Sequence, residues 1–167
     1  MPAIFEALPP HHDRAAFSCG NPAIDAYLRN LARQDEKRNL ARVFVMAEPG
    51  DDRILGFYSL TNTRIPVGDL PEKYGKRLPK GRVIPGALIG QLARALEHRG
   101  KGVGELLLID ALRRIVRANE ISAVHAVIVD AIDDDAADFY ENFGFLRFAE
   151  TKDRLFLPMA TVLKLGL

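Results

Sequence analysis

Apolar residues recur at three- and four-residue steps through residues 21–38, where Ile24, Tyr27, Leu28 and Leu31 share one face and Arg29, Arg33, Lys37 and Arg38 lie opposite. That period predicts an amphipathic helix. Asn21 suits its N-cap and Pro22 its first helical position. A second helical period follows residue 104. Leu106, Leu107, Ile109, Leu112 and Val116 mark a broad face that also takes in Asp110 and Arg113. Arg113, Arg114 and Arg117 fall in its last turns, where the helix dipole favours cations. DDDAADFYENFG (133–144) predicts a short helix, acidic at its N-terminus and capped at its end by Gly144.

Strand patterns fill the intervals. VFVMA (43–47) and ILGFYSLT (54–61) flank the turn PGDD (49–52) and predict an antiparallel hairpin. Residues 64–82, rich in Pro, Gly and Lys/Arg, read as a loop with room for a helical turn near LPEKYGK. VIPGALIGQLA (83–93) reads as a strand whose better part starts at Ala87, after Pro85. VHAVIVDA (124–131) is the continuous apolar run of a strand buried on both faces. FLRFAE and LFLPMATVL predict two closing strands, with Pro158 marking a bulge or an edge in the last. The central strand–helix–strand unit implies a parallel pair with a right-handed crossover. The flanking hairpins imply antiparallel pairing, so the class is mixed α/β, with no internal repeat.

The 167 residues suffice for one domain with a sizeable core. The apolar fraction of 48% and charged fraction of 27% are those of a globular protein. No apolar run reaches the roughly eighteen residues of a membrane span. MPAIFEALPPHHD has neither the basic nor the long apolar region of a secretory signal. One cysteine, Cys19, cannot form an internal disulfide, so a reducing, cytoplasmic setting is expected. The four histidines (His11, His12, His98, His125) lack metal-ligand spacing, and no metal is expected. The net charge of +1 hides a local polarity. Lys73, Lys76, Arg77, Lys80 and Arg82 cluster in one segment, and residues 130–141 hold acids and no base. Each run reads either as a solvated face or as a binding surface.

RGKGVG (99–104) places three glycines in five positions ahead of a helix. Glycine starts helices poorly, so its use there points to a close approach to the backbone. Successive N–H groups at a helix N-terminus bind phosphate, and Arg99 and Lys101 add charge. A plain structural turn is the alternative. The spacing fits neither the P-loop nor the dinucleotide fingerprint.

The run Arg99-Gly100-Lys101-Gly102-Val103-Gly104 resembles the Q/R-x-x-G-x-G/A pyrophosphate loop of GNAT acetyltransferases. LIGQLA precedes it as that family's splayed strand does, and DAADFYENFGF (135–145) resembles the family's A-x-x-F-Y-x-x-x-G-F signature. With FSCGNPAIDAYLRNLARQDEKRNLARVFV, GFYSL, KRLP and LFLPMATV, the likeness extends over nearly the whole chain to the GNAT toxins of toxin–antitoxin pairs. The resemblance implies a single domain over residues 1–167. Its fold would be a mostly antiparallel sheet with a central parallel pair splayed at the acetyl-CoA site and helices on both faces. It implies acetyl transfer from acetyl-CoA to the α-amine of aminoacyl-tRNA, a ribbon-helix-helix antitoxin as partner, and a homodimer.

The same resemblance places the diphosphate on Arg99, Gly100, Lys101, Gly102, Val103 and Gly104, and pantetheine along the main chain of Leu92, Ala93 and Arg94. Arg94 stands where a small β-branched residue is usual. The leaving sulfur falls near Tyr140, a sensible general acid because phenol and thiol have similar reference pKa values. As residues alone, Tyr140 reads as an aromatic wedge beside Phe139 and Phe143, and only the resemblance makes it the acid. No general base stands out among Glu97, His98 and Asp130. Arg33, Lys37 and Arg38 with Lys73, Lys76, Arg77, Lys80 and Arg82 could grip tRNA phosphates. A GNAT enzyme acting on a small-molecule or protein amine, and a non-catalytic acyl-CoA-binding module, are the competing readings.

Overall fold

The computed structural model describes residues 3–8, 12–151 and 153–167, so His11 lies outside the described residues. Among those residues the strands are β1 (Ile4–Ala7), β2 (Arg42–Ala47), β3 (Gly56–Pro66), β4 (Val83–Arg94), β5 (Ala126–Asp130), β6 (Leu146–Arg147) and β7 (Arg154–Pro158). The helices are α1 (Pro22–Asn30), α2 (Ala32–Lys37), α3 (Glu72–Gly75), α4 (Val103–Asn119), α5 (Asp134–Phe143) and α6 (Met159–Lys164). The sheet order is β1-β2-β3-β4-β5-β7-β6. β4 and β5 are parallel, in register from Gly86↔Ala126 to Ile89↔Val129, while β4 itself continues to Arg94. β1 with β2, β2 with β3, β5 with β7 and β6 with β7 pair antiparallel. The expected mixed α/β class, hairpin and central parallel pair are all present. The chain folds as two compact units, one ending at Thr61 and resuming over Gly90–Ala111, the other comprising Asn62–Ile89 and Leu112–Leu167.

In the first unit, Asn21 caps α1 as expected, its side chain accepting from the N–H groups of Ala23 and Ile24 at 3.0 and 3.3 Å. Ile24, Leu28 and Ala32 bury against Phe17, Val43, Val45, Ile54 and Phe57. The single helix expected over 21–38 breaks at Leu31, which is 50% exposed and not on the buried face. Tertiary bonds explain the break. Glu36 of α2 accepts the Val43 N–H at 2.5 Å, and Asp35 accepts the Tyr27 hydroxyl at 3.1 Å. Those ties set the direction of α2 independently of the period of α1.

The buried stripe of α4 is Val103, Leu107, Leu108, Ala111, Leu112 and Ile115, rotated from the expected face, with Leu106 exposed. Asp110 belongs with that inner side because the Tyr58 hydroxyl donates to its Oδ2 at 2.5 Å. Gly56 admits α4 closely. A Cβ there would stand 2.6 Å from Leu107 Cδ1 and 2.9 Å from the Ala93 carbonyl oxygen. Gly56→Ala is therefore expected to cost about 1–3 kcal/mol by overpacking. Urea unfolding measures this, and an unchanged midpoint contradicts it.

In the second unit, Ile65, Val67, Leu70, Ile84, Ala126, Ile128, Phe148 and Phe156 form the core. The loop expected over 64–82 is more ordered than its composition suggests. β3 runs on to Pro66, a 3-10 turn covers Val67–Asp69, and α3 is the expected helical turn. The apolar Val67 and Leu70 bury, and the Val67 N–H closes the segment on the Arg82 carbonyl at 3.0 Å. β4 begins at Val83, where the expected strand begins, and is regular strand before Ala87 too, with Pro85 inside it. The Pro85 carbonyl accepts the His125 N–H at 2.9 Å, and the parallel register starts only at Gly86, so the missing donor falls outside the ladder. The last expected strand is half helix. Pro158 closes β7, the Met159 N–H donates to the His125 carbonyl at 2.8 Å, and α6 buries Met159 and Val162. β6, not β7, is the edge.

Candidate active site

The glycine loop lies in the first unit. A 3-10 turn, Leu96–His98, leads into it, and Gly100 and Gly102 take φ of +77° and +76°. A Cβ on either would meet nothing within 4 Å, so backbone conformation and not crowding requires glycine in the protein alone. Gly104 is different: it lies in the first turn of α4 and is not left-handed. The Leu106 N–H is the first to close on the loop, reaching the Gly102 carbonyl at 3.1 Å. The N–H groups of Val103, Gly104 and Glu105 have no intrahelical acceptor by position and are available to an anion. Arg99 and Lys101 are exposed beside them.

The strand leading to this loop is tied to its neighbour at two points. The Gln91 N–H donates to Ser59 Oγ at 2.9 Å, and the Ala95 N–H donates to the Leu55 carbonyl at 2.8 Å. Between the ties lie Leu92 and Arg94, half-buried, and Ala93, buried. Tyr27 is half-buried and stacked on Phe57 with ring centroids 6.3 Å apart. Burial, followed by the charge of Asp35 and its hydrogen bond, pushes the Tyr27 phenol up to about 12. Sequence reasoning missed Ser59, because its role depends on a partner across the sheet.

Tyr140 lies in the second unit, on α5. Asp133, expected inside the helix as part of its acidic start, instead caps it through the Ala136 N–H at 2.8 Å, and Gly144 ends it at φ +117° as expected. Tyr140 is 6% exposed, with ring centroids 5.3 Å from Phe139 and 5.4 Å from Phe145; the expected neighbour Phe143 is replaced by Phe145. Among the described residues its hydroxyl makes no hydrogen bond. Burial, and then the charge of Asp130, push its pKa well above the ordinary 10.0, so the phenol keeps its proton. Of the three bases considered, Asp130 is engaged by Arg154 at 2.8 and 3.1 Å, and Glu97 and His98 face one another at 3.6 Å.

The basic residues divide between the units. Arg33, Lys37 and Arg38 lie along and just after α2, and Lys37 and Arg38 are exposed. Lys73, Lys76, Arg77, Lys80 and Arg82 surround α3 and are all exposed. Among the described residues none of these eight forms an ion pair, which leaves them available to phosphate. α3 is pinned from below, where the Tyr74 hydroxyl lies 3.2 Å from His125 Nε2 and its ring meets Phe156 edge-on at 5.2 Å. Burial lowers the His125 pKa, so this imidazole is neutral at neutral pH. Among the described residues no three His, Cys, Asp or Glu are placed to hold a metal ion, and no helix is long and apolar enough to cross a membrane.

The acetyltransferase (GNAT) family model matches residues 12–145, and the chain belongs to that family. It is an acyltransferase whose acetyl donor is acetyl-CoA. A probable toxin TacT of Sinorhizobium fredii is 34% identical over 167 residues, covering 95% of this chain and 92% of the relative. A tRNA-acetylating toxin of Mycobacterium tuberculosis is 34% identical over 133 residues, covering 80% of this chain and 78% of the relative. In fold, the chain matches AtaT complexed with acetyl-methionyl-tRNAfMet at TM-score 0.90, with 24% identity and coverage of 99% and 100%. It matches a tyrosine-to-phenylalanine mutant of KacT at TM-score 0.92, with 24% identity and coverage of 99% of each chain.

Proposed function

We propose that this chain transfers acetyl from acetyl-CoA to the α-amine of aminoacyl-tRNA, as the toxin of a toxin–antitoxin pair that blocks translation. The observation that carries the reading is its relatedness, across nearly its full length, to a probable toxin. The relative named for tRNA acetylation narrows the acceptor. Residues 1–167 act as one acetyltransferase domain, in the cytoplasm and as a homodimer, with a ribbon-helix-helix antitoxin as partner.

The roles follow from the chemistry. Arg99, Gly100, Lys101, Gly102, Val103 and Gly104 receive the diphosphate on main-chain N–H groups and two cations. The main chain of Leu92, Ala93 and Arg94 carries pantetheine and presents the thioester. The amine nitrogen attacks the thioester carbon, the carbon–sulfur bond breaks, Tyr140 gives its proton to the leaving sulfur, and the proton lost by the acylated nitrogen passes through water and restores the Tyr140 phenol. The ester of aminoacyl-tRNA withdraws electrons from the α-amine and lowers its pKa, so a good fraction arrives neutral. Arg33, Lys37, Arg38, Lys73, Lys76, Arg77, Lys80 and Arg82 hold the acceptor stem by its phosphates.

Radiolabelled acetyl-CoA with total charged or uncharged tRNA tests this. Label is expected on charged tRNA alone, weakening steeply as salt rises. Label on polyamines or peptides, and none on tRNA, would leave an acetyltransferase of a different amine. CoA binding without transfer to any acceptor would leave a binding module.

A further inference from the structure

Main-chain N–H groups of an extended strand point alternately to its two edges. The Gln91 N–H in β4 and the Ala95 N–H just past its end both point to the β3 side, one to Ser59 Oγ and one to the carbonyl of Leu55, just before β3. By parity, the N–H groups of Leu92 and Arg94 point to the opposite edge. With the other edge turned to β3, a thioester laid along Leu92–Arg94 can accept from these N–H groups only at that edge. The two ties therefore bracket and aim the stretch that carries it.

The two ties differ in kind. Ala95 meets an ordinary backbone carbonyl, whereas Gln91 meets a side-chain hydroxyl. Room for that hydroxyl comes from Gly90, where a Cβ would stand 2.9 Å from Ser59 Oγ. Ser59 is itself 4% exposed, in an otherwise apolar stretch of β3. The bond satisfies two buried groups at once, the Gln91 N–H and the Ser59 hydroxyl, so neither can leave its place without orphaning the other.

We infer that Ser59 is a positioning residue that aims the Leu92 and Arg94 N–H groups at the thioester of acetyl-CoA. The inference rests on the proposed placement of pantetheine along these residues. It assigns no proton transfer to Ser59, which acts through the main chain of β4.

The test compares wild type with Ser59→Ala in the full-length chain. With charged tRNA as acceptor, Ser59→Ala is expected to lower kcat by about ten- to a hundred-fold, the usual effect of misplacing a reacting group. KM for acetyl-CoA should stay within about two-fold, because the diphosphate loop is untouched. The second readout needs no acceptor: the infrared band of an isotope-labelled thioester carbonyl in bound acetyl-CoA. Wild type should shift that band below its position in water, and Ser59→Ala should return it most of the way.

An unchanged kcat in Ser59→Ala, or an infrared band that does not move between wild type and variant, overturns the inference. Wild type that labels no charged tRNA overturns the proposed acceptor instead. The infrared comparison still decides the role of Ser59 in that case.

Discussion

Tyr140→Phe is expected to slow acetyl transfer by about a hundred- to ten-thousand-fold, the span of general acid–base catalysis, while leaving the protein folded. The substitution removes one oxygen atom that makes no hydrogen bond among the described residues. The aromatic contacts with Phe139 and Phe145 survive in phenylalanine. Stability should therefore change little, because no buried partner is orphaned. Binding of acetyl-CoA, followed by calorimetry, should persist, so the loss appears in single-turnover transfer. The pH dependence has a definite sign. Burial and the charge of Asp130 both favour the neutral phenol, so Tyr140 stays protonated through neutrality and past the ordinary tyrosine value of 10.0. A fall in rate on acidification must then come from protonation of the acceptor amine, and the same fall should persist in the residual activity of the variant. Transfer by Tyr140→Phe at nearly the wild-type rate would mean that the sulfur takes its proton from water.

Gly102→Ala should separate two costs that glycine conceals. At φ +76° an alanine is strained in its own backbone, by about 1–2 kcal/mol. Gly50, at φ +77° and with nothing within 4 Å of a built Cβ, supplies the control. Gly50→Ala and Gly102→Ala should lose similar stability in urea unfolding. Only Gly102→Ala should also weaken acetyl-CoA, by about ten-fold or more, each ten-fold being 1.4 kcal/mol. The reason is that its methyl group enters space that the protein leaves open and the diphosphate needs. Equal affinity in wild type and Gly102→Ala would remove the diphosphate from this loop.

Much of the frame is legible in the sequence. Asn21 and Gly144 cap the helices where their residue types suggest. The hairpin of β2 and β3 and the fully buried β5 follow from turn residues and an unbroken apolar run. The glycine loop announced a backbone with unusual dihedral angles, and Gly100 and Gly102 have them. The candidate site was less legible. Arg94, which stands where a small β-branched residue is usual, is half-buried, and among the described residues it forms no ion pair. Tyr140 has the aromatic surroundings expected of it, but its lack of a hydroxyl partner could not be read from the chain.

Caps, turns and signature loops depend on groups a few residues apart, so the sequence by itself determined them, along with the family and its acetyl donor. The break at Leu31, the rotated face of α4, the strand passing through Pro85 and the helix after Pro158 depend on partners elsewhere in the chain. So does the tie between Gln91 and Ser59, 32 residues apart, and that between Tyr58 and Asp110, 52 apart. A buried polar group must find a partner, and which one it finds is a property of the packed sheet, not of the local period. The tertiary structure alone thus decided which residues brace the strand that leads to the glycine loop.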